Sequence, residues 1–490
     1  MPKVTIDGIA FDAPAGVNLI EAARLVGITI PAFCYHPALK VVGQCRICLV
    51  EVEGMPKLQP GCATPVREGM VVRTDTERVR KMRAQVMEFL LINHPLDCPV
   101  CDQAGECDLQ DFCEAYAFPK SRFEEAKRVN PNEERRPLGP HVFQNQNRCI
   151  HCTRCIRFCR DISGTGELTF SERGHRTLVD VFPGAPLDNA WSACTADLCP
   201  VGALTVKDFR FKERVWNLES ASTICPHCGN GCAIELQQRS GVVKRFLPRP
   251  DPEINDHWLC DYGRFAFEWM NRSVIFEPFA DGAEAAWEEA LGALAQMIRN
   301  AKRKAAALAS PFLTLEELHL LKQIFPSVYL LPATIREVKI RSSAQWLTSM
   351  NLAPNAAGAK KLGYIPYRGE ALEAALVFHH PLVDLPGINA NSFFIDTRFE
   401  TPVNSEAAGL LPGALFPEKE GTYLNDHGRI RFTPRAFPPQ GLARPALEYL
   451  LDLAKLLGKD LPYSTLEGVF RAVPLSHGRG YADLPFTVES

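Results

Sequence analysis

The chain has 490 residues, and at roughly 150 per domain that length suits about three domains. A chain this long can bury several cores, so nothing forces it to rely on disulfides. Its 54 Lys+Arg against 57 Asp+Glu leave a net charge of −3, which offers no electrostatic argument for nucleic acid or an anionic membrane.

In chain order, residues 3–12 alternate weakly around Asp7-Gly8, which predicts a hairpin. Asn18 is placed to cap a helix through Leu19, Ile20, Ala22, Ala23 and Leu25, with Gly27 as its stop. Strands are expected at 47–52 and near 70–73. Strand–strand–helix–strand with a cysteine-bearing loop reads as a β-grasp ferredoxin. Residues 76–93 carry Val79, Met82, Val86 and Leu90 at helical spacing, and Arg78, Arg80, Lys81 and Arg83 are expected on the exposed face. That basic run reads as a solvated or partner-facing surface. His94-Pro95 should end the helix, because the residue before proline disfavours the α region.

Residues 130–140 (NPNEERRPLGP) read as a polar, proline-rich linker, and 141–215 and 220–275 as compact cysteine segments. From about 280 the texture becomes Ala/Leu-rich α/β alternation. Helices are expected at 287–298 and 315–324, and strands at 305–310, 328–331, 374–378 and 393–396. A last helix is expected to start with Pro445 at its first position and stop at Gly458. No apolar run approaches the ~20 residues of a membrane span. The opening MPKVTIDGIAFDAPAG lacks the basic and apolar regions of a secretory signal.

All 18 cysteines lie in the first 260 residues. Their short spacings suit a metal rather than disulfides. The first set is Cys34-x10-Cys45-x2-Cys48-x13-Cys62, with Gly43 and Gly61 beside ligands; it suits a 2Fe–2S cluster, although its first gap is longer than in the plant-type pattern. A structural zinc site is the alternative. The second, His94-x3-Cys98-x2-Cys101-x5-Cys107, could hold zinc as a closed Cys3His site or an iron–sulfur cluster. Replacing one thiolate by imidazole would make such a cluster less negative and raise its potential.

The third set is Cys149-x2-Cys152-x2-Cys155, completed by Cys199-Pro200, the ferredoxin pattern for a 4Fe–4S cubane. The fourth is Cys225-x2-Cys228-x3-Cys232-x27-Cys260, which alone could hold zinc or a cubane. Fifteen cysteines and one histidine are thereby assigned. Cys113, Cys159 and Cys194 remain as packed thiols, too few for a further cubane. No GxGxxG, GxxxxGK[ST], Gly-x-Ser-x-Gly or HExxH motif occurs, so no nicotinamide site is expected. His379-His380 reads as a surface or core pair at a strand end.

Together these sets closely resemble the G-type iron–sulfur subunit family of bacterial complex I, the NADH:quinone oxidoreductase (75 kDa-type). The likeness extends between ligands, through 94–107 (HPLDCPVCDQAGEC), 148–158 (RCIHCTRCIRF) and 199–205 (CPVGALT). It implies a 2Fe–2S cluster at the first set and cubanes at the second and third. These would relay electrons from an NADH/FMN flavoprotein subunit toward a ferredoxin-like two-cluster subunit near quinone. The fourth set resembles an extra cubane of some members, lying off the main relay.

Residues 287–291 (WEEAL), Ala309-Ser310-Pro311, Leu315-Glu316-Glu317-Leu318 and 416–425 (FPEKEGTYLN) resemble a molybdopterin oxidoreductase domain. It is much shorter than the family pattern, with 335–390 as the trace of a deleted region. With no cysteine beyond 260, no molybdenum cofactor is expected, and no FMN or NAD in this chain.

The resemblance implies a multidomain α+β and α/β chain. It comprises a β-grasp 2Fe–2S domain (1–76), a helical His/Cys3 4Fe–4S segment with linker (77–140) and a ferredoxin-like 4Fe–4S domain (141–219). A 4Fe–4S domain of molybdopterin oxidoreductase type (220–275) and a truncated, cofactor-free α/β domain (276–490) follow. The expected place is the cytoplasmic side of the inner (plasma) membrane, held through partner subunits. The alternatives are a diaphorase-type subunit of a soluble NAD-linked hydrogenase or formate dehydrogenase, and a non-enzymatic zinc-ribbon scaffold.

Overall fold

Residues 1–131, 135–271, 277–332, 353–378, 380, 392–396 and 407–488 are described by a computed structural model of the chain. Met1–Asn217 forms one compact unit, and a second begins at Leu218, slightly ahead of the expected boundary at 220.

The first unit opens with a hairpin, β1 (Lys3–Ile6) and β2 (Ile9–Asp12), whose turn places Asp7 and Gly8 at positive φ. That is the backbone a tight two-residue hairpin needs. The Asn18 side chain caps α1 (Leu19–Leu25) by accepting from the Ile20 and Glu21 N–H groups. With β3 (Leu49–Val52), β4 (Gln59–Pro60) and β5 (Met70–Arg73) the hairpin forms a five-stranded sheet ordered β2-β1-β5-β3-β4. Only β1 and β5 run parallel, so Val4 and Ile6 stand beside Met70 and Val72 over the buried face of α1.

Helix α2 (Glu77–Leu91) forms as expected, capped by Thr76, but its faces differ from the expected ones. Val79, Arg83 and Met87 are buried, whereas Met82 is exposed and Val86 and Leu90 are half-buried. Arg78, Arg80 and Lys81 do face solvent. Arg83 turns inward because Tyr116, on α3 (Asp108–Tyr116), offers its ring to the guanidinium at 5.0 Å.

Part of the expected linker is a strand. Within it β6 (Arg136–Pro137) pairs with β7 (Val142–Gln144), which in turn pairs with β10 (Leu204–Val206). A hairpin of β8 (Leu168–Ser171) and β9 (Leu178–Val181) and two short helices, α4 (Arg154–Arg157) and α5 (Cys194–Asp197), complete the unit.

The second unit starts with an antiparallel meander that no sequence pattern announced: β11 (Glu219–Ile224), β12 (Ala233–Arg239) and β13 (Val242–Pro248). Helix α6 (Asp261–Phe265) follows. The rest is built on an eight-stranded sheet. Its strands are β14 (Phe279–Ala280), β15 (Ala283–Glu284), β16 (Ala305–Ala309), β17 (Ser327–Leu330), β18 (Ile365–Pro366), β19 (Ala374–Phe378), β20 (Ser392–Asp396) and β21 (Gly409–Pro412).

The order is β15-β14-β21-β20-β19-β16-β17-β18, parallel from β21 to β18. The winding reverses between β16 and β19, as in doubly wound folds. Helices α7 (Trp287–Ala301), α8 (Leu315–Ile324) and α9 (Ala356–Lys361) come from within it. Strands β22 (Gly421–Leu424), β23 (Arg429–Thr433) and β24 (Phe486–Thr487) form a second small sheet.

Pro445 sits one position earlier than expected, at the N-cap of α10 (Ala446–Leu456). That helix is not the last, because α11 (Leu466–Ala472) follows it. Most of the supposed deletion trace at 335–390, with His379, lies outside the described residues. His380 is buried, its ring stacked on Phe312 at 3.6 Å between centroids, the core member of the two readings offered for it.

Candidate metal centres

The first set hangs from the loop ahead of β3 and from Cys62 beyond β4. Cys34, Cys48 and Cys62 are buried and Cys45 is half-buried. The thiols lie within reach of one another: Cys34 meets Cys45 and Cys62, and Cys62 meets Cys48. A Cys34 thiolate is therefore held far down, first by Cys45 and then by Cys62, and those two contacts push Cys45 and Cys62 up. Cys48 falls to about 7 through its bond with Cys62. The Cys34 N–H also points at Cys45 Sγ, 3.4 Å away. At Gly61 a Cβ would stand 3.0 Å from the Cys48 carbonyl oxygen, which explains a glycine beside the last ligand.

In the second set, His94 follows α2 and is half-buried; Cys98 is exposed, Cys101 buried and Cys107 half-buried. Burial, helped by the charges of Arg148 and Lys127, lowers the His94 imidazole to about 4. It is thus kept in the neutral form a metal ligand requires. Burial pushes the Cys107 thiol to about 11, opposed by the N–H groups of Gln110 and Leu109 in the first turn of α3. Gly202 is the tightest fit: a Cβ there would come within 2.3 Å of Cys101 Sγ.

The third set lines one small cavity. Cys149, Cys152, Cys155 and Cys199 share its wall with Ile150, Val179, Val201, Ala203 and Leu204. Burial raises all four thiols, Cys152 to about 12. A bound metal cation would supply the charge that makes them thiolates. N–H groups of Val201, Leu204 and Ala203 face the Cys199 sulfur, and that of His151 stands 3.4 Å from Cys149 Sγ. Cys159 and Cys194 are fully buried and do not line this cavity; Cys159 bonds to the Glu167 carboxylate, and Cys113 is half-buried on α3.

Residues that spacing alone did not reveal join these three sets. Arg157 donates to the carbonyls of Cys34, Lys40 (2.6 Å) and Cys152 (3.5 Å). Arg154 donates to the carbonyls of Ala32 (3.1 Å), Tyr35 (2.7 Å) and Leu198 (3.3 Å). Arg148 pairs with Asp97 at 2.8 Å, and Arg214 donates to the Cys101 and Pro99 carbonyls, each at 2.7 Å. One apolar cluster contains Cys34, Cys45, Cys107, Cys149, Cys152 and Cys199 together with Phe33, Ile47, Met87 and Val201. It draws on all three sets.

The fourth set, in the second unit, lies between the β11–β12 loop and α6. Its geometry is closed by the Cys225 N–H donating to the Cys232 carbonyl at 2.7 Å. Gly263 N–H donates to Cys260 Sγ (3.3 Å), and Asn230 Nδ2 to Cys232 Sγ (3.0 Å). A Cβ on Gly263 would lie 3.0 Å from Cys225 Sγ. Trp269 Nε1–H donates to His227 Nε2 at 3.1 Å, leaving Nδ1–H to face the Gly263 carbonyl at 3.2 Å and Cys225 Sγ at 3.5 Å. Asp426 N–H donates to the Gly229 carbonyl at 2.8 Å, which ties this loop to the turn after β22.

Among the described residues, no group of three or more His, Cys, Asp or Glu is arranged to hold a single metal ion. Thiol sets ringed by N–H donors, with glycines where a Cβ would strike sulfur, fit iron–sulfur clusters.

Comparison with known proteins agrees with that chemistry. Residues 2–77 match the 2Fe-2S iron-sulfur cluster binding domain, and 83–122 the NADH-ubiquinone oxidoreductase-G iron-sulfur binding region. Residues 139–205 match the ferredoxin-like domain of NADH-quinone oxidoreductase subunit 3, and 218–272 the molybdopterin oxidoreductase Fe4S4 domain. The NADH-quinone oxidoreductase G subunit of Rickettsia felis is 43% identical over 329 residues, 66% of this chain and 49% of that protein. The second such G subunit of Rhizobium meliloti is 39% identical over 358 residues, covering 72% and 41%. The mitochondrial NADH-ubiquinone oxidoreductase 78 kDa subunit of Candida albicans is 43% identical over 299 residues, covering 60% and 41%.

A solved chain of an NAD+-reducing [NiFe]-hydrogenase is 29% identical with a TM-score of 0.38, covering 44% of this chain and 91% of that one. The chain spans about half the length of the curated relatives it matches. Its iron–sulfur part, residues 2–272, is similar throughout to the G subunits of NADH-quinone oxidoreductases.

Proposed function

We propose that the chain is an electron-transfer subunit in the peripheral arm of a proton-translocating, complex I-type NADH:quinone oxidoreductase. It would relay single electrons from an NADH/FMN-binding flavoprotein subunit toward a ferredoxin-like two-cluster subunit and the quinone module. Supporting this reading is the apolar cluster that gathers cysteines of the first three sets, Cys34 and Cys152 buried within it and Cys45, Cys107, Cys149 and Cys199 half-buried against it. There the carriers would be close together. The assignment is a 2Fe–2S cluster on Cys34, Cys45, Cys48 and Cys62. Cubanes fall on His94, Cys98, Cys101 and Cys107; on Cys149, Cys152, Cys155 and Cys199; and on Cys225, Cys228, Cys232 and Cys260.

When bound, these clusters supply one-electron chemistry. The chain's own part is to fix their spacing through Arg154 and Arg157 and to tune them through N–H donors to sulfur. No side chain acts as acid, base or nucleophile, and the reading places no molybdenum cofactor, FMN or NAD here. The 276–490 region would be a truncated, cofactor-free scaffold. No helix among the described residues is long and apolar enough to cross a membrane. Attachment at the cytoplasmic face of the plasma membrane would run through partner subunits.

The test is iron and acid-labile sulfide per full-length chain, purified anaerobically. About 14 iron atoms are expected, with EPR signals of one 2Fe–2S cluster and three cubanes after reduction. Stoichiometric zinc without sulfide would overturn the reading.

A further inference from the structure

Arg83 is the one strongly basic residue on α2 that is withdrawn from solvent, at 2% exposure, while Arg78, Arg80 and Lys81 stay outside. Its Nε and Nη2 are buried without a hydrogen-bond partner, while Tyr116 gives the guanidinium a ring contact and a side-chain hydrogen bond. Asp75, an acid whose charge reaches it, is engaged by Arg80 through two hydrogen bonds. A buried cation with unmet N–H groups is costly unless an anion faces it.

The helix face shows where that anion belongs. Val79, Arg83 and Met87 form one buried stripe, four residues apart. Met87 packs in the same cluster as Cys34 and Ile47, and α2 lies against β3, which Cys48 immediately precedes. After Tyr116 and Asp75, the next group whose charge reaches Arg83 is Cys48.

We infer that Arg83 is the buried counter-charge of the first cluster and raises its reduction potential. The inference rests on the 2Fe–2S assignment proposed above. On four thiolates such a cluster carries about −2 when oxidised and about −3 when reduced. A fixed, desolvated cation stabilises the reduced form more, because the attraction scales with the extra electron. In this role Arg83 is a positioning and tuning residue; it exchanges no proton and no electron.

The experiment is an EPR-monitored redox titration of the full-length, cluster-loaded chain and of R83Q, R83M, R83K and R78Q. In R83Q the reduced-to-oxidised ratio of the 2Fe–2S cluster at the wild-type midpoint should fall about tenfold, a shift of about 59 mV to more negative potential. R83M, whose apolar chain suits the buried slot, should give the same shift if R83Q fails to fold. R83K should restore most of the potential, and R78Q, exposed on the same helix, should leave it unmoved. Unmoved midpoints in R83Q and R83M, with the 2Fe–2S signal intact, would overturn the inference and spare the functional assignment. Equal shifts in R83K and R83M would also overturn it, since charge would not be the cause. A wild-type chain without any 2Fe–2S signal would instead bring down the assignment on which it rests.

Discussion

Gly202 shows what a single position can decide. Its α-carbon is the surface on which Cys101 Sγ rests, so G202A would drive a methyl group into the sulfur. We expect that variant to lose about four iron atoms per chain while the 2Fe–2S signal persists, as measured by metal analysis and EPR. Glu316 carries a different sort of information. It is fully buried and accepts from the Thr422 N–H and hydroxyl and from Tyr481 OH, each at 2.9 Å. Burial nevertheless raises it to about 7.

Its folded value lies above the unfolded one, so its contribution to stability is complete below about 4.5 and is lost as pH rises toward 7. Protection of α8 amides, corrected for the intrinsic pH dependence of exchange, should fall across that interval, and E316Q should flatten the response. At this scale the cysteine groupings were legible, because cysteine spacing is local. The arginines around them were not: Arg157 and Cys34 are 123 residues apart, and no periodicity announces such a bond.

At the scale of elements, local rules succeeded where local forces dominate. Helix α8 occupies the expected 315–324, because Thr314 and Glu317 close a capping box around its first turn. T314A should lower stability by about 1 kcal/mol in denaturant titrations followed by a probe in the second unit. Strand β19 likewise falls at 374–378, a buried apolar run in mid-sheet. The face of α2 was misjudged for a tertiary reason. Hydrophobic spacing assigns every arginine to water, yet Arg83 is buried against the Tyr116 ring and Met82 is exposed.

That rotation is testable. M87A should cost about 2–5 kcal/mol, whereas M82A should stay within about 0.5 kcal/mol, by chemical denaturation of the full chain. The β11–β13 meander escaped notice because Glu219–Ser222 and Gln237–Arg239 give no apolar alternation; its order comes from pairing across the hairpins.

For the molecule as a whole, the α/β alternation expected beyond 280 takes the form of a mainly parallel sheet, but strand order lies beyond sequence pattern. The reversal between β16 and β19 depends on which crossover each connection takes. Within that unit Lys419 and Glu317 form a buried ion pair at 2.7 Å that ties the loop before β22 to α8. K419M alone should cost about 3–5 kcal/mol by leaving a buried carboxylate, measured as a lowered denaturation midpoint of the second unit.

In the first unit, Arg157 reaches the backbone of the first ligand loop at Cys34 and of the third at Cys152. Electron tunnelling weakens steeply with distance, so with clusters bound as proposed the span of one guanidinium would act as a spacer bar between two carriers. It is anchored to main-chain oxygens rather than to side chains. Neighbouring substitutions can therefore alter the chemistry of either loop without resetting the gap across which an electron would have to jump.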